Sequence, residues 1–495
     1  MALNAKWVPM KWPCGPLPIA LLHKSKSGAP GLGQTLEAWL QPSTLEFLKG
    51  SPVNSLVIDW AAGGPEDSRQ QRAVGPLLQA GRKLGISFVG RITVMENVAR
   101  ATAAARAAGL SAVILEQPQV QALDLPVILQ FPRDQVEWRA TSAIFSSTGN
   151  VWPGVKLKTM EGDTAIAGPT GVPWVNSNGW FSLLAREMAP GKVLWLDVDP
   201  PASVGASHPE EYCLAVADAR VYASRWIISL DDEMRAAVLK RETRAMDAWT
   251  HMCETISFFE SHSDWSAYKP MGVLAVISDF RGENAFMGGE VLNLLNRRQV
   301  QFLIMDRPRA LSKPIKGLKA ILWVDAASPN APQHAHLLAF VRQGGLLIAA
   351  TYWGPSRVKP YKYDWLFGYD VYGVDKGRIV VPEKGFQDPY EVARATHLLV
   401  GRRNDLVRLY NPATTNCYPS IDSERHKQLV QVLNYSTKPA DYVTVWVNAG
   451  ASSARLWSPV RQDSSVVKYV AASDGTDLDL PTFAVNCAVE FERLP

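Results

Sequence analysis

The stretch KVLWLDVDPP, residues 192–201, decides how this chain is read. It is a short apolar run that stops at two aspartates and a Pro-Pro pair. In an extended strand, side chains alternate between faces, so Asp197 and Asp199 share a face with Trp195. Carboxylates and an indole at the C-terminal end of a buried strand suit the mouth of a barrel. Similar runs flank it at 18–23 (PIALLH), 55–60 (SLVIDW), 86–92 (ISFVGRI), 111–116 (SAVILE), 125–131 (LPVILQF), 142–147 (SAIFSS) and 224–230 (SRWIISL). With 193–199 they make eight, most of them separated by segments that read as helices, such as 70–84 and the Ala-rich 98–108. Such alternation predicts parallel βα units, and eight units in about 250 residues match a closed (β/α)8 barrel. The short fifth-to-sixth connection leaves little room for a helix.

Composition narrows the class. At 495 residues the chain is too long for one core, and 47% hydrophobic with 20% charged residues is a globular balance. A net charge of +4 without a long basic run gives no reason to expect nucleic acid. The five cysteines, Cys14, Cys213, Cys253, Cys417 and Cys487, have no metal-ligand or redox spacing and read as buried thiols. The eight histidines are dispersed, so neither a metal nor a cofactor is expected. No apolar run approaches the roughly 20 residues of a membrane helix. The N-terminus MALNAKWVPMKWPCGP lacks a signal-peptide core, which predicts a cytoplasmic protein, or a periplasmic or secreted one if a leader has been removed.

The long insertion at 148–178 is rich in Gly, Pro, Trp and Asn, and three indoles, Trp152, Trp174 and Trp180, argue for an ordered lid or wall at the barrel mouth. A helical stripe through 234–262 closes the barrel, and 265–270 reads as a linker. A second alternation starts at Gly272: GVLAVISDF, VQFLIMD, GLKAILWVD and GGLLIAAT are strands with helices at 284–299 and 331–343. This predicts a small open α/β sheet without a phosphate-binding glycine loop or a nucleophile elbow. Residues 352–419 offer one helix near 388–399. From about 420 onward, KQLVQVLNYS, YVTVWVNA, SARLWSP, SVVKYVAA and FAVNCAVEFE predict an antiparallel β-sandwich. The expected domains are therefore 1–268, 269–419 and 420–495.

Barrel, small α/β domain and β-sandwich, in that order, resemble the family 42 glycoside hydrolases, the β-galactosidases. The segment GVLAVISDFRGENAFMGGEVLNLLNRRQVQFLIMD is similar to their trimerisation domain. The resemblance implies an exo-acting glycosidase, a glycoside or oligosaccharide substrate and a homo-oligomer, a trimer by analogy. Members of that family carry an Asn-Glu pair after strand four as acid/base and a Glu after strand seven as nucleophile. Here strand four ends Leu115-Glu116, without the Asn, and strand seven offers Asp197 and Asp199 in place of a Glu.

Glycoside hydrolysis needs one protonated and one ionised carboxyl group across the scissile bond. The strand-end candidates are Asp59, Glu116, Asp197, Asp199 and Asp231. Asp59 and Asp231 are equally good helix N-caps, and Asp199 before Pro-Pro is a turn former. Glu116 is a poor cap and a poor strand residue, so it ranks first as general acid/base, with Asp197 second as nucleophile or base. Indoles pack on sugar C–H faces, while Asn and Arg reach hydroxyls. Trp60, Trp152, Trp174, Trp180 and Trp195, with Arg91, Asn176 and Asn178, are the candidate pocket; Trp195 and Trp226 fit barrel packing as well. A non-catalytic carbohydrate-binding or structural protein on the same architecture remains the competing class.

Overall fold

Eight strands pair in parallel and in sequence order. They are β1 (Pro9–Lys11), β2 (Ser55–Ala61), β3 (Ser87–Ile92), β4 (Ala112–Leu115), β5 (Val127–Pro132), β6 (Ile144–Thr148), β7 (Val193–Leu196) and β8 (Arg225–Trp226). A parallel bridge between Met10 and Ile228 joins first to last. Ile228 N–H donates to Pro9 O at 2.9 Å and Lys11 N–H to Ile228 O at 2.7 Å. The result is a (β/α)8 barrel, followed by an α/β sheet and a β-sandwich. This computed structural model describes all residues except 1–2, 15–36, 95, 117–122, 141, 157–158, 162–163, 168–173, 202–203, 205–207, 313–316, 363–367, 473 and 494–495.

The strand expected at 18–23 lies outside the described residues, and the place beside β2 is held by β1 instead. Between β5 and β6 no helix occurs among the described residues, in keeping with the short connection. The interior is set by parity. Trp7, Val57, Val89, Ala112, Ile114, Ile128, Ile144, Trp195 and Ile227 form one core cluster, in which β4 contributes two residues of one parity, Ala112 and Ile114. Their neighbours of opposite parity, such as Leu56, Ile58 and Phe88, are also buried, as strands covered by helices on the outside require.

The chain divides into two compact units, Met1–Gly154 with Ala189–Ser263, and Val155–Met188 with Asp264–Pro495. Most of the insertion expected as a barrel lid therefore belongs to the second unit. Within that unit Arg297 stacks over Trp174 at 3.9 Å and donates to Asn176 Oδ1 at 3.4 Å, and Tyr435 donates to Ser177 at 3.0 Å. Trp180, on the helix Gly179–Met188, faces Gly289, where an added Cβ would come within 3.2 Å of the indole.

The α/β sheet runs Phe302–Asp306, Leu274–Ser278, Ala320–Trp323, Leu346–Ala349 and Gly377–Pro382, all parallel, with Tyr369–Val374 and Tyr361–Lys362 antiparallel at one edge. Its crossover helix Ala331–Arg342 starts from a reciprocal Asn330/Gln333 capping box. The helix Pro389–Val400 is capped by Asp388, whose side chain accepts from Tyr390 N–H. Residues 265–270, read as a linker, instead hold an edge strand: Lys269–Pro270 pairs antiparallel with Thr415–Asp422 of the sandwich. Sandwich strands also begin earlier than 420, at Val407–Tyr410. One buried cluster, including Val430, Val445, Leu456 and Phe491, lies between its two sheets.

Trp195 is fully buried in the barrel core. Trp195→Ala should cost about 3–5 kcal/mol of stability, as large-to-small changes at buried tryptophans do. Urea unfolding monitored by far-UV circular dichroism measures it, and a loss under 1 kcal/mol would contradict the interior position.

Candidate active site

The apolar stripe inside the barrel turns polar at one end. Continuing the inward parity from Trp7, Val57, Val89, Ile128, Ile144, Trp195 and Ile227 reaches Lys11, Asp59, Arg91, Gln130, Ser146, Asp197 and Ser229. All lie toward the C-terminal ends of their strands, where barrel enzymes carry their chemistry. A register shift between Asp59 and Ala61 in the β2–β3 ladder puts a bulge at this rim.

These side chains meet. Lys11 Nζ lies 2.5 Å from Asp197 Oδ1 and 2.6 Å from Asp199 Oδ1. Arg91 Nε donates to Asp59 Oδ1 at 2.7 Å, and its Nη1 is 3.7 Å from Asp197 Oδ2. Gln130 Nε2 donates to Asp197 Oδ2 at 2.8 Å and to Ser146 Oγ at 3.0 Å. Ser229 Oγ donates to Asp199 Oδ1 at 2.6 Å. Both Asp197 oxygens are thus engaged, which a carboxylate with a side chain 6% exposed requires if it is to stay ionised.

Three carboxylates face two cations, and the balance shifts the titration of Arg91 and Asp199. Burial opposes the charge on Arg91, but Asp59, Asp197 and Asp199 together outweigh it and raise its pKa. Burial likewise pushes Asp199 up, and it is outweighed by the Lys11 ammonium, the Ser229 hydroxyl and Arg91, so the net shift is downward. The nearby Cys14 thiol is raised well above its usual value by burial and by Asp59, which keeps it protonated and a poor nucleophile. Because Asp197 Oδ1 and Asp199 Oδ1 both touch one nitrogen, they lie within about 5 Å of each other, near the retaining spacing. The ammonium sits between them.

Asp59, Arg91, Asp197 and Asp199 are therefore brought together, and the other candidates are placed elsewhere. Glu116 lies one residue past the end of β4 and is exposed. Trp195 is a core layer beneath Asp197, out of reach of any ligand. Trp60 is on the outward parity, 1% exposed, and its Nε1 donates to Ala101 O at 3.0 Å. Trp152 donates to Glu211 Oε2 at 3.1 Å and packs edge-on against Tyr212 and Trp226. Asp231 caps the helix Asp232–Leu239, accepting from Met234 N–H at 3.0 Å and from the Tyr212 hydroxyl. Burial, then Asp231, raises the Tyr212 pKa. Trp174, Asn176, Asn178 and Trp180 belong to the second unit.

Lys11, Gln130, Ser146 and Ser229 escaped the sequence reading. Gln130, Ser146 and Ser229 were each legible as the polar residue toward the end of an apolar run, as in LPVILQF; Lys11 was hidden because PMK does not look like a strand.

No family model matches the chain, and no curated protein matches it in sequence. Solved structures do share its fold. The α-L-fucosidase isoenzyme 2 from Paenibacillus thiaminolyticus superposes with a TM-score of 0.58 over 92% of this chain and 96% of its own, at 11% identity. The β-galactosidase from Rahnella sp. R3 does so with a TM-score of 0.52 over 92% and 97%, at 10% identity. Both neighbours are glycosidases, and at this identity the likeness is one of fold.

Lys11→Met would strand two carboxylates, one of them buried. Removing one partner of a buried pair costs about 3–5 kcal/mol, and partial exposure of Lys11 puts the expectation at the low end. Urea unfolding should show the loss, and the double variant with Asp197→Leu should recover most of it. The lowered pKa of Asp199 also has a sign. A depressed folded-state value adds stability above the unfolded aspartate pKa near 3.9, and that stability fades as pH falls through the folded value. Asp199→Asn should therefore shrink the stability difference between pH 6 and strongly acidic solution; an unchanged difference would contradict the ion pair.

Proposed function

We propose that this chain is a glycoside hydrolase, exo-acting, with its site at the C-terminal mouth of the barrel. One observation carries the reading. A core that is apolar through Trp7, Ile128 and Trp195 ends in a cluster of ionised groups around Asp197. Asp197, in contact with Lys11, Arg91 and Gln130, is the partner that stabilises or attacks an oxocarbenium-like centre. Glu116 is the proton donor. It is exposed in the free protein, and a sugar bound against it would remove it from water. Asp199 is a poor donor, because its pKa is lowered and the acid must hold a proton. The domain order supports a distant kinship with the family 42 β-galactosidases and, by the same analogy, a homo-oligomer. Light scattering should then give a particle larger than the 54.4 kDa chain.

A second reading has its own observation. Asp59, Asp197 and Asp199 are all ion-paired, with Lys11 between two of them, and such an arrangement also suits a mouth that binds a sugar without cleaving it.

Kinetics separate the two. Aryl and alkyl glycosides of fucose, galactose and related sugars form the substrate panel. Removing a general acid usually costs about 10²–10⁴ in rate, so Glu116→Gln should nearly abolish turnover of an alkyl glycoside and spare an activated aryl glycoside. Asp197→Asn should depress both alike. A cleaved substrate whose kinetics ignore Glu116→Gln would remove Glu116 from the mechanism, and sugar binding without cleavage of any glycoside favours the second reading.

A further inference from the structure

The second unit contains a cavity of about 470 Å³ that the barrel chemistry does not use. Four arginines and a histidine line it against a single acid, Asp405. They arrive from separate elements. Arg297 and Arg298 end the helix Glu283–Arg297, and His397 lies in the last turn of Pro389–Val400. Arg402 starts the short turn Arg402–Asn404, and Arg408 is on the strand Val407–Tyr410.

Not all of this charge is spoken for. Asp405 Oδ2 takes Arg408 Nε at 3.0 Å, and Arg297 is engaged by Trp174 and Asn176. Among the described residues neither Arg298 nor Arg402 forms an ion pair; Arg298 lies over the Tyr390 ring at 5.0 Å. The His397 pKa is lowered by burial and then by Arg298 and Arg402, so both guanidinium charges act on the one imidazole. A helix C-terminus favours a basic residue in its last turn, which accounts for one cation per helix. It does not account for Arg402 and Arg408 joining them around one cavity. Asp405 faces both Arg408 and Arg402, so one carboxylate is set against more positive charge than it balances, an excess that a dianion would relieve. A phosphate monoester is close to a dianion near pH 7, whereas a carboxylate or a sulfate monoester carries one charge. The volume exceeds that needed for a bare ion and falls among small-molecule pockets. Tyr390 and Tyr410 supply aromatic wall.

We propose that this cavity binds a small organic phosphate monoester, with the phosphate between Arg298 and Arg402 and the organic body against Tyr390 and Tyr410. The site is independent of the glycosidase reading, and either can fail alone.

The test is isothermal titration of the full chain at pH 7.5 and low salt with phenyl phosphate, glucose 6-phosphate, inorganic phosphate and glucose. At least one ester should bind at least about tenfold more tightly than inorganic phosphate, a difference near 1.4 kcal/mol, and glucose should give no heat. Arg298→Gln and Arg402→Gln should each weaken the ester about tenfold or more, while Arg403→Gln, on the same turn outside the cavity lining, should not. Circular dichroism melting confirms that each variant is folded, and the two cavity variants stand in for each other if one is not. No binding of either ester, binding unmoved by both cavity variants, or inorganic phosphate binding as tightly as the esters would overturn the proposal.

Discussion

The ion pair of Lys11 with Asp197 and Asp199 governs the barrel unit more than any other single contact. Strand β1 is only three residues long, and the ring closes on it through two backbone hydrogen bonds to Ile228 and Pro9. Three residues of ladder are weak closure by themselves. The Lys11 side chain joins that strand to the end of β7, and Ser229 joins Asp199 to the end of β8. The contact that neutralises the mouth is therefore also a cross-link at the seam of the barrel. Its desolvation cost is tolerable because Gln130 and Arg91 engage the second oxygen of Asp197.

Where the sequence was strongly periodic, it was legible. SLVIDW, SAVILE and VLWLDVD are apolar runs bounded by turn chemistry; β2 and β4 match theirs within a residue at each end, and β7 stops three residues short of its run, at Leu196. The parity argument that put Asp197 on the face of Trp195 holds in the structure, and the same parity shows why the two differ in role. Trp195 is a step deeper, inside the packed layers, while Asp197 emerges at their end. PMK was not legible because a strand of three with a proline has no alternation to read, and its pairing is decided by partners 46 residues away. The apolar run at 18–23 drew the first-strand assignment to itself.

The tryptophans mislead for a related reason. An indole is equally good at covering a sugar and at filling a gap between layers, and sequence cannot tell a strand's outward face from its rim. Trp60 and Trp152 fill outer layers of the first unit through hydrogen bonds to Ala101 and Glu211. Trp174 stacks with Arg297, a partner 123 positions away that no local pattern indicates. Asp231, by contrast, was readable as a cap from DDEM alone, and it is one.

Stability alone gives a weak reason for the charged mouth. Replacing a buried ion network by well-packed apolar groups is usually neutral or favourable, and this barrel already fills its lower layers with Trp, Val and Ile. The same strands, two residues on, carry Lys, Asp, Arg, Gln and Ser in one mutually bonded set. Such a set orients donors and acceptors at the open end of the fold without costing backbone order elsewhere, which is what recognition of a polyhydroxylated ligand demands. In the proposed glycoside hydrolysis, cleavage turns on protonation. The clustered aspartates already accept from Lys11, Arg91, Gln130 and Ser229, so the proposed hydrolysis takes its proton donor from outside the cluster, from Glu116 just past the end of β4.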